Sequence, residues 1–303
     1  MIIHERVKVK SFDGHILNVS LYRGNSRKVK GVVQITHGMY EHSGNHTSLI
    51  KYLVSNSYIV AIYDHRGHGR YNRTRKEFSF TCTHNNFDLM VEDLRSVNSF
   101  LKNEYKNLKI FLLGYSMGGY LSLRYSQLYG DTIDGLVLVG IGKEKEMITL
   151  GSLVSVKFIG LFKKPEYLSE FVKKRVNSKI CKKSKTYKGN RNTICQNRFS
   201  KDRYRIRTYT LKFYHDLFEG IHNTLKSESF KSICKDLKVY IIGGDSDAIC
   251  SFGSGIIRLD KELTTNGISC KYKIYDGISH NLFIENRKEV NGDIVDFLNS
   301  FIL

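Results

Sequence analysis

Residues 108–128 read LKIFLLGYSMGGYLSLRYSQL. Residues 108–113 are a short apolar run, the pattern of a strand buried on both faces. Residues 117–128 carry apolar side chains at helical spacing. Between them stands Gly114-Tyr115-Ser116-Met117-Gly118, with Gly119 next. A serine at such a strand-to-helix join sits on a tight turn, its hydroxyl exposed above the sheet. Gly114 and Gly118 fit this reading, because side chains there would collide with neighbouring backbone. The helix that follows offers free N–H groups and a field that favours a developing anion. The five-residue pattern arises by chance in about one chain in ten of this length. Its weight therefore comes from the strand before it and the helix after it.

Working outward, strands and helices alternate. Residues 5–10 and 15–22 read as a hairpin around Asp13-Gly14, and 31–36 (GVVQIT) as a buried strand. A helix at 46–55, a strand at 58–63 and a long helix near 86–104 lead to the quoted stretch. A strand at 135–140 follows it. Alternation resumes with a strand at 237–242, a helix at 254–266, a strand at 269–275 and a last helix at 287–301. This order predicts an α/β fold with a mostly parallel sheet flanked by helices, and function at the carboxyl ends of its strands. Residues 143–234 break the rhythm and read as an insertion, with core segments 1–142 and 235–303 on either side.

The net charge is +19. Most of the excess lies in residues 171–207, which hold fourteen Lys or Arg against the single acid Asp202. Such a balance suggests an anionic partner, and a membrane surface is the candidate here. Motifs for specific nucleic-acid binding are lacking. The six cysteines form no Cys-x-x-Cys pair and no zinc spacing, so free thiols in a reducing compartment are expected, with a Cys181–Cys195 bridge as the one alternative. No run of eighteen apolar residues predicts a membrane span, and the N-terminus carries no secretory pattern. The expected location is the cytoplasm, with peripheral contact at membranes. No metal and no cofactor is called for.

The remaining candidates lie in loops after strands. Residues 36–44 (THGMYEHSG) follow the strand 31–36, where this architecture places a donor for an oxyanion. The backbone N–H groups of Met39 and Met117 are the candidate donors, with His37 and His42 as loop-holding residues. The strand 237–242 leads into Gly243-Gly244-Asp245-Ser246-Asp247, which offers two aspartates. Asp245 can also be read as a turn former bonded to its own backbone. His280 lies in the loop after 269–275. The order serine, acid, histidine suits a nucleophile, an orienting carboxylate and a general base.

With these residues in view, the chain resembles the monoglyceride lipase/lysophospholipase group of α/β-hydrolases. The matching pieces are HGMYEHSGNH (37–46), YDHRGHG (63–69), GYSMGG (114–119), GGDSDAI (243–249) and YDGISHNLFIENR (275–287). The resemblance implies the α/β-hydrolase fold with a helical cap insertion and a channel for one acyl chain. It selects Asp247 over Asp245, making Ser116, Asp247 and His280 the triad. It implies that Glu41 contacts the polar head of the substrate. Asn45 stands where the monoglyceride branch has arginine, and Phe283 where it has histidine. Arg66 is expected to stabilise the fold, and Tyr115 replaces a common histidine. The implied activity is hydrolysis of carboxylic esters of single-chain lipids, lysophospholipid or monoacylglycerol, through an acyl-enzyme. The rivals are a general short-chain carboxylesterase, thioesterase or peptidase, and a non-catalytic binding protein.

Overall fold

Eight strands form one sheet in the computed structural model, which describes residues 1–26, 28–70, 85–181, 201–285 and 287–302. They are β1 (Ile2–Lys10), β2 (Ile16–Gly24), β3 (Gly31–Thr36), β4 (Tyr58–Tyr63), β5 (Ile110–Tyr115), β6 (Gly135–Val139), β7 (Lys238–Gly244) and β8 (Ser269–Tyr275). The order is β1-β2-β4-β3-β5-β6-β7-β8. β1 and β2 pair antiparallel, as do β2 and β4; all pairs from β4 to β8 are parallel. β3 to β6 are buried along their whole lengths, as continuous apolar strands between two helical layers should be.

The α-helices among the described residues are α1 (Thr47–Ser55), α2 (Asn86–Glu104), α3 (Met117–Tyr129), α4 (Glu146–Gly160), α5 (Glu170–Cys181), α6 (Leu211–Thr224), α7 (Ser254–Thr265), α8 (Leu282–Glu285) and α9 (Arg287–Asn299). α1, α8 and α9 cover one face of the sheet, with Leu53, Leu282 and Ile294 in its core. α2, α3, α6 and α7 cover the other, with Leu94, Leu121, Phe213 and Leu259. Asn85 starts α2 by accepting from the N–H groups of Phe87 and Asp88.

β5 runs two residues further than the apolar stretch 108–113 indicates. Gly114 still pairs with Thr36 and Tyr115 with Val139, so the ladder continues up to Ser116. The hydrogen-bonding register, which apolar character does not report, sets this end.

Between β6 and β7 the chain forms α4, α5 and α6, the elements that the strand–helix alternation did not place. Of the basic stretch 171–207, residues 182–200 lie outside the described residues, and so does the considered Cys181–Cys195 bridge. The chain re-enters at 201–210, pairs Thr210 with Leu168, and starts α6 with the Thr210 hydroxyl accepting from the Phe213 N–H. Among the described residues no helix is long and apolar enough to cross a membrane.

The sheet ends in two edge strands. β1 exposes His4, Glu5, Arg6, Lys8 and Lys10, and β8 exposes Lys271.

Candidate active site

β5 delivers Ser116 and α3 begins directly after it. The serine backbone is left-handed, with φ 54° and ψ −119°, a conformation unfavourable for a side-chain-bearing residue. The elbow closes because its glycines lack side chains. A Cβ on Gly114 would lie 2.4 Å from the Gly118 carbonyl oxygen, and one on Gly118 would lie 2.2 Å from the Thr36 carbonyl oxygen. The start of α3 is thus pressed against the end of β3.

His280, in the loop between β8 and α8, meets the serine. Its Nε2 lies 2.9 Å from Ser116 Oγ, and its Nδ1 lies 2.8 Å from Asp247 Oδ2. A carboxylate only accepts, so Nδ1 carries the proton and Nε2 is left to accept from the serine hydroxyl. Asp247 is fully buried and also accepts from the Ile249 N–H at 2.8 Å and the Cys250 thiol at 3.2 Å. Asp245 does something else. Its Oδ1 accepts from the Gly277 N–H at 2.8 Å, clipping the loop after β7 to the loop after β8. The geometry separates the two aspartates that the turn sequence left open.

One neighbour of the histidine entered the sequence reading only as a replacement for a common histidine, with no role given to it. Tyr115 lies 5.5 Å from the His280 ring at an interplanar angle of 24°, and its hydroxyl donates to the His280 carbonyl at 2.8 Å. It holds both ring and backbone of His280. Its place in the elbow was a signal, but the side-chain direction needed the fold.

The loop after β3 closes over the serine; a Cβ on Gly38 would stand 3.2 Å from Ser116 Cβ. Met117 is the first residue of α3, so its N–H has no helical carbonyl one turn back. Met39 lies between two committed amides. The Gly38 N–H donates to Glu41 at 3.0 Å, and the Tyr40 N–H donates to the Tyr209 hydroxyl at 2.8 Å. Glu41 also accepts from His46 at 3.2 Å through the same Oε2. Burial raises the Glu41 carboxyl, but the His46 hydrogen bond and charge, with His37 and the Gly38 amide, bring the net shift below the ordinary value.

The other expected loop residues are structural in geometry. His37 donates from Nδ1 to the Gly38 carbonyl at 2.9 Å and accepts the His65 N–H at 3.0 Å; burial lowers it to about 4. His42 accepts from the Gly44 N–H and meets Asp202 at 2.6 Å. The Asn45 side chain accepts from the His42 N–H at 2.9 Å, and Phe283 packs on Tyr115 and His46 at 5.3 and 5.9 Å. Both departures from the monoglyceride pattern thus have local packing roles. Arg66 is buried and forks onto Asp93, at 2.5 Å for each contact, and onto Asp13. This anchors the hairpin to α2, in keeping with its expected stabilising role.

Among the described residues, one group has donor atoms close enough to share a metal: His215, Asp216 and Glu219 on α6. Asp216 there is already bound by Lys212 and by Asn86.

Residues 27–287 match the model of a protein family described as serine aminopeptidase, S33. A 135-residue stretch is 30% identical to protein phosphatase methylesterase 1 of Candida albicans, covering 44% of this chain and 35% of that one. A 134-residue stretch is 28% identical to the monoglyceride lipase of Homo sapiens, covering 44% and 42%. The matched stretch spans less than half of either relative. Over 99% of both chains, the fold superposes on a thermostable carboxyl esterase from Bacillus coagulans solved with glycerol, at a TM-score of 0.85 and 21% identity.

Proposed function

The chain is an α/β-hydrolase of the family described as serine aminopeptidase, S33, and on that premise we propose that it is a serine hydrolase that cleaves carboxylic esters of single-chain lipids. The observation that carries this reading is the hydrogen-bonded line from Ser116 Oγ through His280 to Asp247, at 2.9 and 2.8 Å. His280 takes the hydroxyl proton as Ser116 attacks the ester carbonyl. Asp247 holds the imidazole and stabilises its charged form. The N–H groups of Met39 and Met117 receive the oxyanion. The alcohol leaves with the proton from His280, and water repeats the sequence to free the acid.

The lipid substrate is supported by α4. Met147, Leu150, Val154, Phe158 and Leu161 recur at helical spacing and are all exposed, and Phe162 beside them is 72% exposed. Lys157, Lys163 and Lys164 adjoin them, also exposed. A water-exposed apolar stripe with a basic rim suits the surface of an anionic bilayer. We therefore read 143–234 as a cap over cores 1–142 and 235–303, and the protein as cytoplasmic and peripheral at membranes. The basic residues of 171–207 would add attraction to anionic headgroups. Glu41 faces the substrate head in this reading.

The family description favours one rival, a peptidase. The test is fluorophosphonate labelling of wild type and Ser116→Ala, followed by turnover of a monoacylglycerol, a lysophospholipid, a short-chain ester and an aminoacyl amide. Labelling confined to wild type with lipid esters preferred is expected. Labelling that survives in Ser116→Ala removes the nucleophile; preference for the amide moves the protein to the peptidases. Binding to vesicles that is independent of their anionic lipid content overturns the electrostatic part of the membrane reading.

A further inference from the structure

The loop that would hold the oxyanion is fixed from two sides. One side is local: Glu41 accepts the Gly38 N–H and is itself held by His46. The other comes from far along the chain. Tyr209, wholly buried just before α6, accepts the Tyr40 N–H at 2.8 Å across 169 residues of sequence. Its hydroxyl also lies 2.9 Å from His68 Nε2. His68 Nδ1 faces the Arg66 carbonyl at 2.8 Å, so that nitrogen carries the proton and Nε2 accepts. Tyr209 therefore donates to His68 and accepts from Tyr40, with direction fixed at both ends.

Tyr40 needs such a hold. It has φ 63°, left-handed for a residue with a bulky side chain. Its ring lies 5.1 Å from that of Tyr209, and its hydroxyl meets the Tyr214 hydroxyl on α6 at 2.9 Å. Asp202, on the same returning stretch, takes His42 at 2.6 Å. The Met39 amide plane thus sits between a plane pinned by Glu41 and a plane pinned by Tyr209.

We propose that Tyr209 is a positioning residue for the reaction: its hydroxyl sets the Met39–Tyr40 peptide and so aims the Met39 N–H at the oxyanion. The inference rests on the ester-hydrolase reading above. It makes the segment returning to the core before α6 a working part of the oxyanion loop.

The experiment compares Tyr209→Phe with wild type on a soluble short-chain ester, with Tyr125→Phe as control. Tyr125 is equally buried and loses a hydroxyl contact to Thr132 away from the serine. The expected result is a kcat lowered about 10- to 100-fold in Tyr209→Phe with KM within about threefold, and no kcat change in the control. Equal kcat in Tyr209→Phe and wild type overturns the inference. A loss shared by the control marks it as general loosening and overturns it too. If Tyr209→Phe fails to fold, amide exchange in the wild type decides. A Tyr40 amide protected well beyond exposed loop amides supports the inference, and one exchanging like them overturns it. Wild type without Ser116-dependent turnover instead overturns the ester-hydrolase reading, and the inference falls with it.

Discussion

His280 has three neighbours that the site cannot replace one for another: Ser116 in front, Asp247 behind and Tyr115 against its ring. Asp247→Asn is expected to keep the fold and lower kcat by about four orders of magnitude, because the amide favours the wrong imidazole tautomer. Asp245→Asn should leave kcat near the wild-type value, since its contact is a turn amide. Equal losses in the two variants would contradict the assignment. Tyr115→Phe removes one hydrogen bond to the His280 backbone and should lower kcat about tenfold, read by steady-state kinetics. Ser116 and His280 were legible in the sequence because each sits in a short motif beside a strand end. Asp247 was not separable from Asp245 within the turn, as both follow β7 by a few residues. The resemblance selected Asp247, and the direction of each carboxylate supplies the physical distinction. The role of Tyr115, noted only as a replacement for histidine, was invisible in the sequence because it lies in where the ring points.

At the level of elements, the alternation of apolar strands and amphipathic helices made the core legible. The parallel pairing from β4 to β7 follows from runs that are apolar on both faces, and β8, with Lys271 exposed, closes the parallel part as an edge strand. The helices of 143–234 were harder. α4 carries apolar residues on its exposed side as well as its packed side, where Leu153 and Val156 are buried, so no polar face marks its orientation. Two variants test these elements. Gly118→Ala drives a methyl into the Thr36 carbonyl and should cost about 3 kcal/mol or more, read as the urea midpoint. Phe158→Ser with Phe162→Ser changes two exposed side chains and should leave the midpoint unchanged. The same double variant should weaken binding to anionic vesicles while turnover of a soluble ester persists. Undiminished vesicle binding would remove α4 from the membrane reading.

For the molecule as a whole, buried uncharged histidines set a stability slope. Burial lowers His37 to about 4 and His68 to about 3, while an unfolded histidine titrates near about 6.5. Between these values the unfolded chain holds more protons than the folded one. The stability contributed by these two histidines is therefore full well above pH 6.5 and is lost as pH drops toward their folded values. The Asp13–Arg66 pair does not contribute there, because the guanidinium holds Asp13 at about 2 and its loss comes only in stronger acid. Urea midpoints at pH 7.5 and 5.0 should differ, with the lower at pH 5.0; equal midpoints would mean that the histidines charge without unfolding the protein.

The two edge strands have a consequence for behaviour at high concentration. An open sheet is a template on which a second molecule can add strands, and repeated addition makes insoluble fibres. Here β1 presents Arg6, Lys8 and Lys10, and β8 presents Lys271. A second copy docking β8 against β8 would bring like charges together at the seam. Charge thus opposes polymerisation at the places where the backbone would otherwise invite it.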